Sequence, residues 1–213
     1  MHAMGTPLIT NADGTKFGKS EGNAIWLNAE MCSPYAFYQF WLNTADADVI
    51  DRLKVFTFLT KAQIEEYAEK VAAEPFRREA QKRLAWEVTA LAHGAETTQQ
   101  VIDASRAVFG GADLAEVEAD TLATILAELP QADATKWDRD EAGTVSAVGL
   151  LVSTGLAASN SEARRTIKEG GALVNNVRIA DPEQRYSTLD ALAGRYLLVR
   201  RGKKNMAAAD LRA

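Results

Sequence analysis

The sequence predicts a mainly α-helical chain that closes with a small α+β module, on three observations. Between Ser33 and Pro130 apolar residues recur at helical spacing, and the segments are bounded by capping and breaking residues. After Gly170-Gly171 the pattern changes to short runs, Ala172-Leu173-Val174 and Val177-Arg178-Ile179, around an Asn175-Asn176 turn. The charge also changes sign: from Thr144 onward 11 Lys and Arg stand against 6 Asp and Glu, while the preceding part carries 13 against 23. Such a reversal points to two modules with different partners. Their junction is expected in the polar, weakly periodic stretch 131–143, just after Pro130.

Each element has a local reason. Ser33 can cap a helix with Pro34 at its first position, and Phe37, Phe40 and Trp41 follow at helical spacing. Asp46 or Asp48 opens a second helix carrying Val49, Ile50, Leu53 and Phe56. Thr60-Lys61-Ala62-Gln63 is a capping box for a third, with Ile64, Ala68 and Val71 on one face. A longer helix is expected from about Phe76 to His93, with Leu84, Val88 and Leu91 in the core and Gly94 as its stop. Two more are expected around Thr97 to Phe109 and Thr121 to Leu129. The cations Arg77, Arg78, Lys82 and Arg83 read best as a solvated face paired with Glu74, Glu79 and Glu87. In the last module, Thr144-Val145-Ser146 starts a short helix ending near Gly155. Ser159-Asn160-Ser161-Glu162 caps a second that carries Arg164, Arg165 and Lys168, and Tyr196 to Arg201 is a later strand before the Gly202-Lys203-Lys204 turn.

The 213 residues allow one or two compact domains. No apolar run approaches the roughly 20 residues of a membrane span, and no basic-apolar leader is visible, so a cytoplasmic location is the expectation. The single Cys32 has no partner for a disulfide or a metal site, and no metal ligand set is expected.

The segment richest in chemistry is Asp13-Gly14-Thr15-Lys16-Phe17-Gly18-Lys19-Ser20-Glu21-Gly22. Glycines let a backbone approach a ligand closely, and lysines and hydroxyls stabilise charge on phosphoryl oxygens. The spacing differs from the nucleoside-triphosphatase loop, which needs four residues between its first glycine and Gly-Lys-Ser. From its residues alone the segment is either an exposed basic turn or a nucleotide-handling loop.

The text around it resembles tyrosyl-tRNA synthetases of the bacterial type. That family carries a mobile Lys-Met-Ser-Lys-Ser-type loop, which stands here as Lys16-Phe17-Gly18-Lys19-Ser20. Its flanks match too: Pro7 to Thr10, Ser33-Pro34-Tyr35, Phe37 to Phe40, Asn43 to Asp48, Gly194-Arg195 and Arg200 to Asn205. The resemblance covers essentially the whole chain, least specifically from Ala62 to Ala142.

It implies an ATP-dependent tyrosine–tRNA ligase, with Lys16, Lys19 and Ser20 as catalytic residues and Lys19, Gly18 and Gly14 on the ATP, Gly22 being a further hinge. Magnesium is expected with the ATP. Residues 1–32 would be the end of a catalytic domain, 33–130 a helical anticodon-binding domain, 131–143 a linker and 144–213 a small RNA-binding domain. The last resembles a domain shared with a small-subunit ribosomal protein of the S-four type and with pseudouridine synthases. There Arg164, Arg165, Lys168, Asn175 and Arg178 are the expected RNA contacts, although the family's Val-Asn-Gly turn reads Val174-Asn175-Asn176 here. The only histidines, His2 and His93, do not form the His-Ile-Gly-His-type motif of the tyrosine- and ATP-binding domain. The resemblance therefore implies that this domain precedes Met1, together with most of the homodimer interface, and that the chain alone is inactive. A freestanding RNA-binding protein is the alternative, but it would have no use for a lysine loop. Tryptophanyl-tRNA synthetases, the nearest siblings, typically lack the terminal module.

Overall fold

The computed structural model describes residues 5, 8–11, 14–17, 25–110, 112–202 and 205–212. The chain divides by its contacts into two compact units, residues 1–99 and 100–213.

In the first unit, α1 (Pro34–Leu42) starts where the Ser33 hydroxyl accepts from the Ala36 amide at 3.0 Å. α2 (Asp46–Phe56) follows without a side-chain cap, and α3 (Lys61–Ala73) opens with the complete Thr60/Gln63 capping box. α1, α2 and α3 all pack on α4 (Glu79–His93), and Phe37, Trp41, Val49, Leu53, Leu84 and Ala85 form the core.

α4 begins three residues later than expected. Pro75–Arg77 form a separate 3-10 turn, and Arg78 takes the left-handed conformation (φ 52°) with its guanidinium donating to the Leu42 carbonyl at 2.6 Å. Phe76 is consequently outside the helix and exposed. Leu91 is 66% exposed: the buried stripe runs through Gln81, Ala85, Val88 and Thr89, and Leu91 falls on its margin in the last turn. Gly94 ends the helix at φ 90°, as its position predicts.

α5 (Ala95–Val108) crosses the division between the units, and α6 (Ala119–Glu128) lies wholly in the second. There a two-residue strand β1 (Val145–Ser146) runs into α7 (Ala147–Ser153), capped by the Ser146 hydroxyl, and α8 (Asn160–Lys168) follows. β2 (Ala172–Val174), β3 (Val177–Arg178), β5 (Tyr196–Arg201) and β6 (Asn205–Asp210) form an antiparallel sheet in the order β3-β2-β5-β6, and β4 (Arg185–Tyr186) pairs with β1. Leu197 and Val199 of β5 point into a core with Leu150, Leu151, Ile167 and Val174. α6 packs against β5 and β6, so β5 is buried on both faces. The fold is therefore mainly α, followed by a small α+β module.

Residues 130–143 are held firmly by this module. The Ala132 amide donates to the Ala208 carbonyl at 2.8 Å and the Ala208 amide to Pro130 at 2.9 Å, which extends the sheet past β6. Trp137 Nε1 donates to Ser153 Oγ at 3.0 Å, and Arg139 Nη2 to the Leu211 carbonyl at 3.0 Å. These bonds tie the stretch 131–143 to the module that follows it.

Candidate functional site

The base of the lysine loop is a small hairpin. Thr10 pairs antiparallel with Lys16, the Phe17 amide donates to the Ile9 carbonyl at 3.1 Å, and the Asn11 amide donates to Thr15 at 2.8 Å. Gly14 sits at φ 81° with open space where a β-carbon would point, so its glycine is required by backbone conformation rather than by crowding. Lys16 is exposed on the returning arm. Gly18, Lys19, Ser20 and Gly22 lie outside the described residues.

Phe17 anchors this hairpin to the bundle. Its ring centroid lies 5.8 Å from Phe40, 5.6 Å from Trp41 and 5.6 Å from Phe56. On another side the Arg52 guanidinium sits 4.3 Å from the Phe17 centroid. Arg52, only 3% exposed, also donates through Nη2 to the Thr10 carbonyl at 2.8 Å and to Asn11 Oδ1 at 3.0 Å. The sequence offered one signal for this residue: a cation on the face of α2 that carries Val49, Leu53 and Phe56.

The cations of the first unit are largely engaged within it. Arg77 pairs with Glu74 at 2.9 Å and Arg83 pairs with Glu87, as expected, while Arg78 is used on the α1 carboxyl end. His93 packs edge-on to Phe37 at 4.9 Å, and burial lowers its pKa below the usual histidine value.

In the second unit Arg164, Arg165 and Lys168 are all exposed on α8. Arg164 turns to Glu183, whereas Arg165 and Lys168 occupy the last turn, Arg165 being 3.9 Å from Glu169. Arg178 of β3 lies beside the glycine that ends this helix: a β-carbon on Gly170 would come 3.2 Å from Arg178 Nη1. The structure thus brings Arg165, Lys168 and Arg178 to one end of α8 and diverts Arg164 from them. Asn175 (φ 50°) holds the turn: its Nδ2 donates to the Asp190 carbonyl at 2.7 Å and its Oδ1 accepts from the Leu198 amide at 3.0 Å.

Much of the module's positive charge is spent internally. Arg185 Nε lies 2.9 Å from Asp140, Arg195 bonds Asp210 at 2.6 Å, and Arg201 bonds Glu162 at 2.8 Å. The hydrogen bond from Arg195 holds the Asp210 carboxyl below its usual range, and the Ala158 amide, followed by Arg201, does the same for Glu162. Asn176 (φ 64°) is a connector that sequence reasoning missed. Its Nδ2 donates to the Ala107 carbonyl of α5 at 2.8 Å, and its Oδ1 accepts from buried Arg200 at 2.6 Å. Among the described residues no group of His, Cys, Asp or Glu is arranged to hold a metal ion, and no helix is long and apolar enough to cross a membrane.

Residues 1–110 match the family "tRNA synthetases class I (W and Y)", and residues 122–209 match "Tyrosine--tRNA ligase SYY-like C-terminal domain". The chain is 56% identical over 213 residues to the tyrosine–tRNA ligase of Leifsonia xyli subsp. xyli, covering 97% of this chain and 45% of that protein. It is 50% identical over 211 residues to that of Streptomyces avermitilis, with 99% and 48% covered. A C-terminally truncated Aspergillus nidulans mitochondrial tyrosyl-tRNA synthetase of known structure is 37% identical, with 47% of this chain and 25% of that one covered and a TM-score of 0.40, too low to speak for the fold. The chain spans about half the length of the bacterial relatives it matches. With the lysine loop in its family setting and the terminal module matched separately, the chain belongs to the class I tRNA synthetases of the W and Y type, on the tyrosine–tRNA ligase branch.

Proposed function

We propose that this chain is the C-terminal part of an enzyme that activates tyrosine with ATP and esterifies it to tRNA, working in the cytoplasm. Residues 1–32 supply the lysine loop, 33–130 meet the anticodon, 131–143 connect, and 144–213 bind folded tRNA. The observation that carries the reading is the hairpin anchored by Phe17, which holds exposed Lys16 on its returning arm at the start of the lysine motif.

In the reaction the tyrosine carboxylate attacks the α-phosphorus, the bond to the β-phosphate bridge breaks, and pyrophosphate leaves. Lys16 and Lys19, with the Ser20 hydroxyl, stabilise charge growing on that leaving group, while Gly14 and Gly18 let the loop close on it. Charge stabilised only in the transition state raises kcat, whereas uniform binding would not. Magnesium is proposed to arrive on the ATP phosphates rather than on a site of this chain. The tyrosine pocket and most of the homodimer contact are assigned to the part of the protein that this chain does not span. In the terminal module Arg165, Lys168 and Arg178 contact phosphates, with Arg164 at their border and Asn175 shaping the turn between strands. Arginine forks suit phosphate oxygens, and such contacts give affinity and salt dependence rather than sequence reading.

The test joins this chain behind the upstream half of the Leifsonia xyli relative and measures tyrosine-dependent ATP–pyrophosphate exchange. Lys19→Ala is expected to lower kcat by roughly 100-fold or more with the KM for tyrosine unchanged. Unchanged exchange would remove the role given to the loop.

A further inference from the structure

We propose that Arg52 is a positioning residue that clamps the base of the lysine loop to α2 and so fixes the pivot from which Lys16 and Lys19 act. The proposal rests on the function given above.

A lone two-stranded hairpin is marginal in water, and the Ile9 to Phe17 hairpin shows one paired position and three backbone bonds of its own among the described residues. What holds it must come from outside. Phe17 contributes through the Phe40, Trp41 and Phe56 rings, but a ring in an apolar cluster fixes depth better than direction. Arg52 supplies the direction. Its Nη2 meets acceptors on two successive residues of the outgoing arm, Thr10 and Asn11, while its plane covers Phe17 on the returning arm. One side chain thus grips both arms.

The burial of Arg52 makes the grip specific. A buried charge is costly unless it is hydrogen-bonded, and no carboxylate comes within 4.0 Å of this guanidinium among the described residues, although Asp48 and Asp51 line the same cavity of about 420 Å³. Its counterparts are the hairpin's own oxygens and the aromatic face, so the arginine stays satisfied only while the hairpin is seated. A planar fork can stack on a ring and donate sideways at once, whereas a lysine ammonium cannot.

The experiment measures amide hydrogen exchange of this chain at Asn11, Gly14 and Phe17 against Leu84 and Val88 in α4. Arg52→Ala is expected to speed exchange of the three hairpin amides by at least about tenfold, the loss of a charged donor's bonds, with the α4 amides unchanged. Arg52→Lys should restore little of the protection. Hairpin exchange equal to the parent chain overturns the proposal, and so does equal acceleration in α4, which would make Arg52 a general core residue. Asn11→Ala leaves the buried guanidinium in place but removes both its Oδ1 acceptor and the Asn11 Nδ2 bond to Thr15 Oγ1 at 2.9 Å, so Thr15→Val, which removes only the second, is its control. Asn11→Ala should accelerate Gly14 and Phe17 more than Thr15→Val does, and equal acceleration counts against the clamp.

In the joined protein Arg52→Ala should lower kcat for exchange without raising the KM for tyrosine, and should add little to Lys19→Ala when combined with it. Multiplicative losses would overturn the positioning role. If Lys19→Ala itself leaves activity intact, the function reading fails while the amide exchange still decides the clamp.

Discussion

Asn176 stands where the family's turn usually has glycine, and its left-handed backbone suggests that asparagine is there as a tolerated substitute. The structure gives it a second task, and replacement by glycine separates the two. Asn176→Gly keeps the φ of 64° without strain but deletes the bond to the Ala107 carbonyl and the 2.6 Å bond from Arg200, which is 6% exposed. A bond from a charged donor is worth about 1.5–3 kcal/mol, and a neutral one about 1 kcal/mol. Relief of left-handed strain is offset by the greater freedom of glycine in the unfolded chain. The net expectation is a loss of about 3 kcal/mol, or on the order of a hundredfold in the opening equilibrium of the sheet. Asn176→Ala adds the left-handed penalty of about 1 kcal/mol and should be worse. Native-state exchange of the Leu198 and Val199 amides reads this opening directly. If Asn176→Gly exchanges no faster than the parent, the side chain is not a connector, and the turn needs only its backbone.

Three further expectations follow from other parts of the second unit. Gly149→Ala in α7 would normally favour a helix, yet its β-carbon would lie 2.5 Å from Asp138 Oδ1 and 3.2 Å from Ser146 Oγ, so a destabilisation of about 1–3 kcal/mol is expected in urea unfolding, and a gain would refute the crowding. Burial, with a smaller contribution from Asp190, raises the Tyr186 hydroxyl to about 12. Its neutral form is therefore favoured in the folded state, and the stability it contributes is complete below about pH 10 and lost as pH rises toward 12. Tyr186→Phe should flatten the alkaline unfolding profile in that window; an unchanged profile would assign the loss to other groups. Finally, replacing Arg165, Lys168 and Arg178 together with alanine should weaken tRNA binding and reduce the slope of log affinity against log salt by about 2–3, whereas an unchanged slope would place the phosphate surface elsewhere.

The local signals in the sequence were good guides wherever a residue's task is met by its neighbours in the chain. Ser33, Thr60 and Ser159 cap the helices their positions predict, and Gly94 and Gly170 end theirs. They failed where the partner is distant. β6 reads Asn-Met-Ala-Ala-Ala-Asp, a run with helical rather than strand preference, and it is a strand because β5 and Pro130 to Ala132 supply hydrogen bonds on both of its edges. Burial of Ala207, Ala208 and Ala209 between α6 and the core of the module requires small side chains more than β-branched ones.

The same distinction governs the candidate sites. Lys16 and Lys19 are proposed from a spaced motif, and Arg165 and Lys168 from positions three apart on one helix. Arg52 and Arg200 were not singled out, since each becomes informative only through its tertiary acceptor: the Thr10 carbonyl 42 residues away in one case, Asn176 24 residues away in the other. Both are buried cations on elements otherwise committed to the core, α2 and β5. Arg52 donates to the lysine hairpin and Arg200 to Asn176 in the turn between β2 and β3, each next to residues proposed for ligand contact. Burying a guanidinium costs more than burying a leucine of similar size, so the placement of Arg52 against the turn proposed to carry the lysine loop indicates that the cost secures geometry rather than stability. An apolar replacement of Arg52 should therefore preserve the helical bundle better than it preserves the Ile9 to Phe17 hairpin.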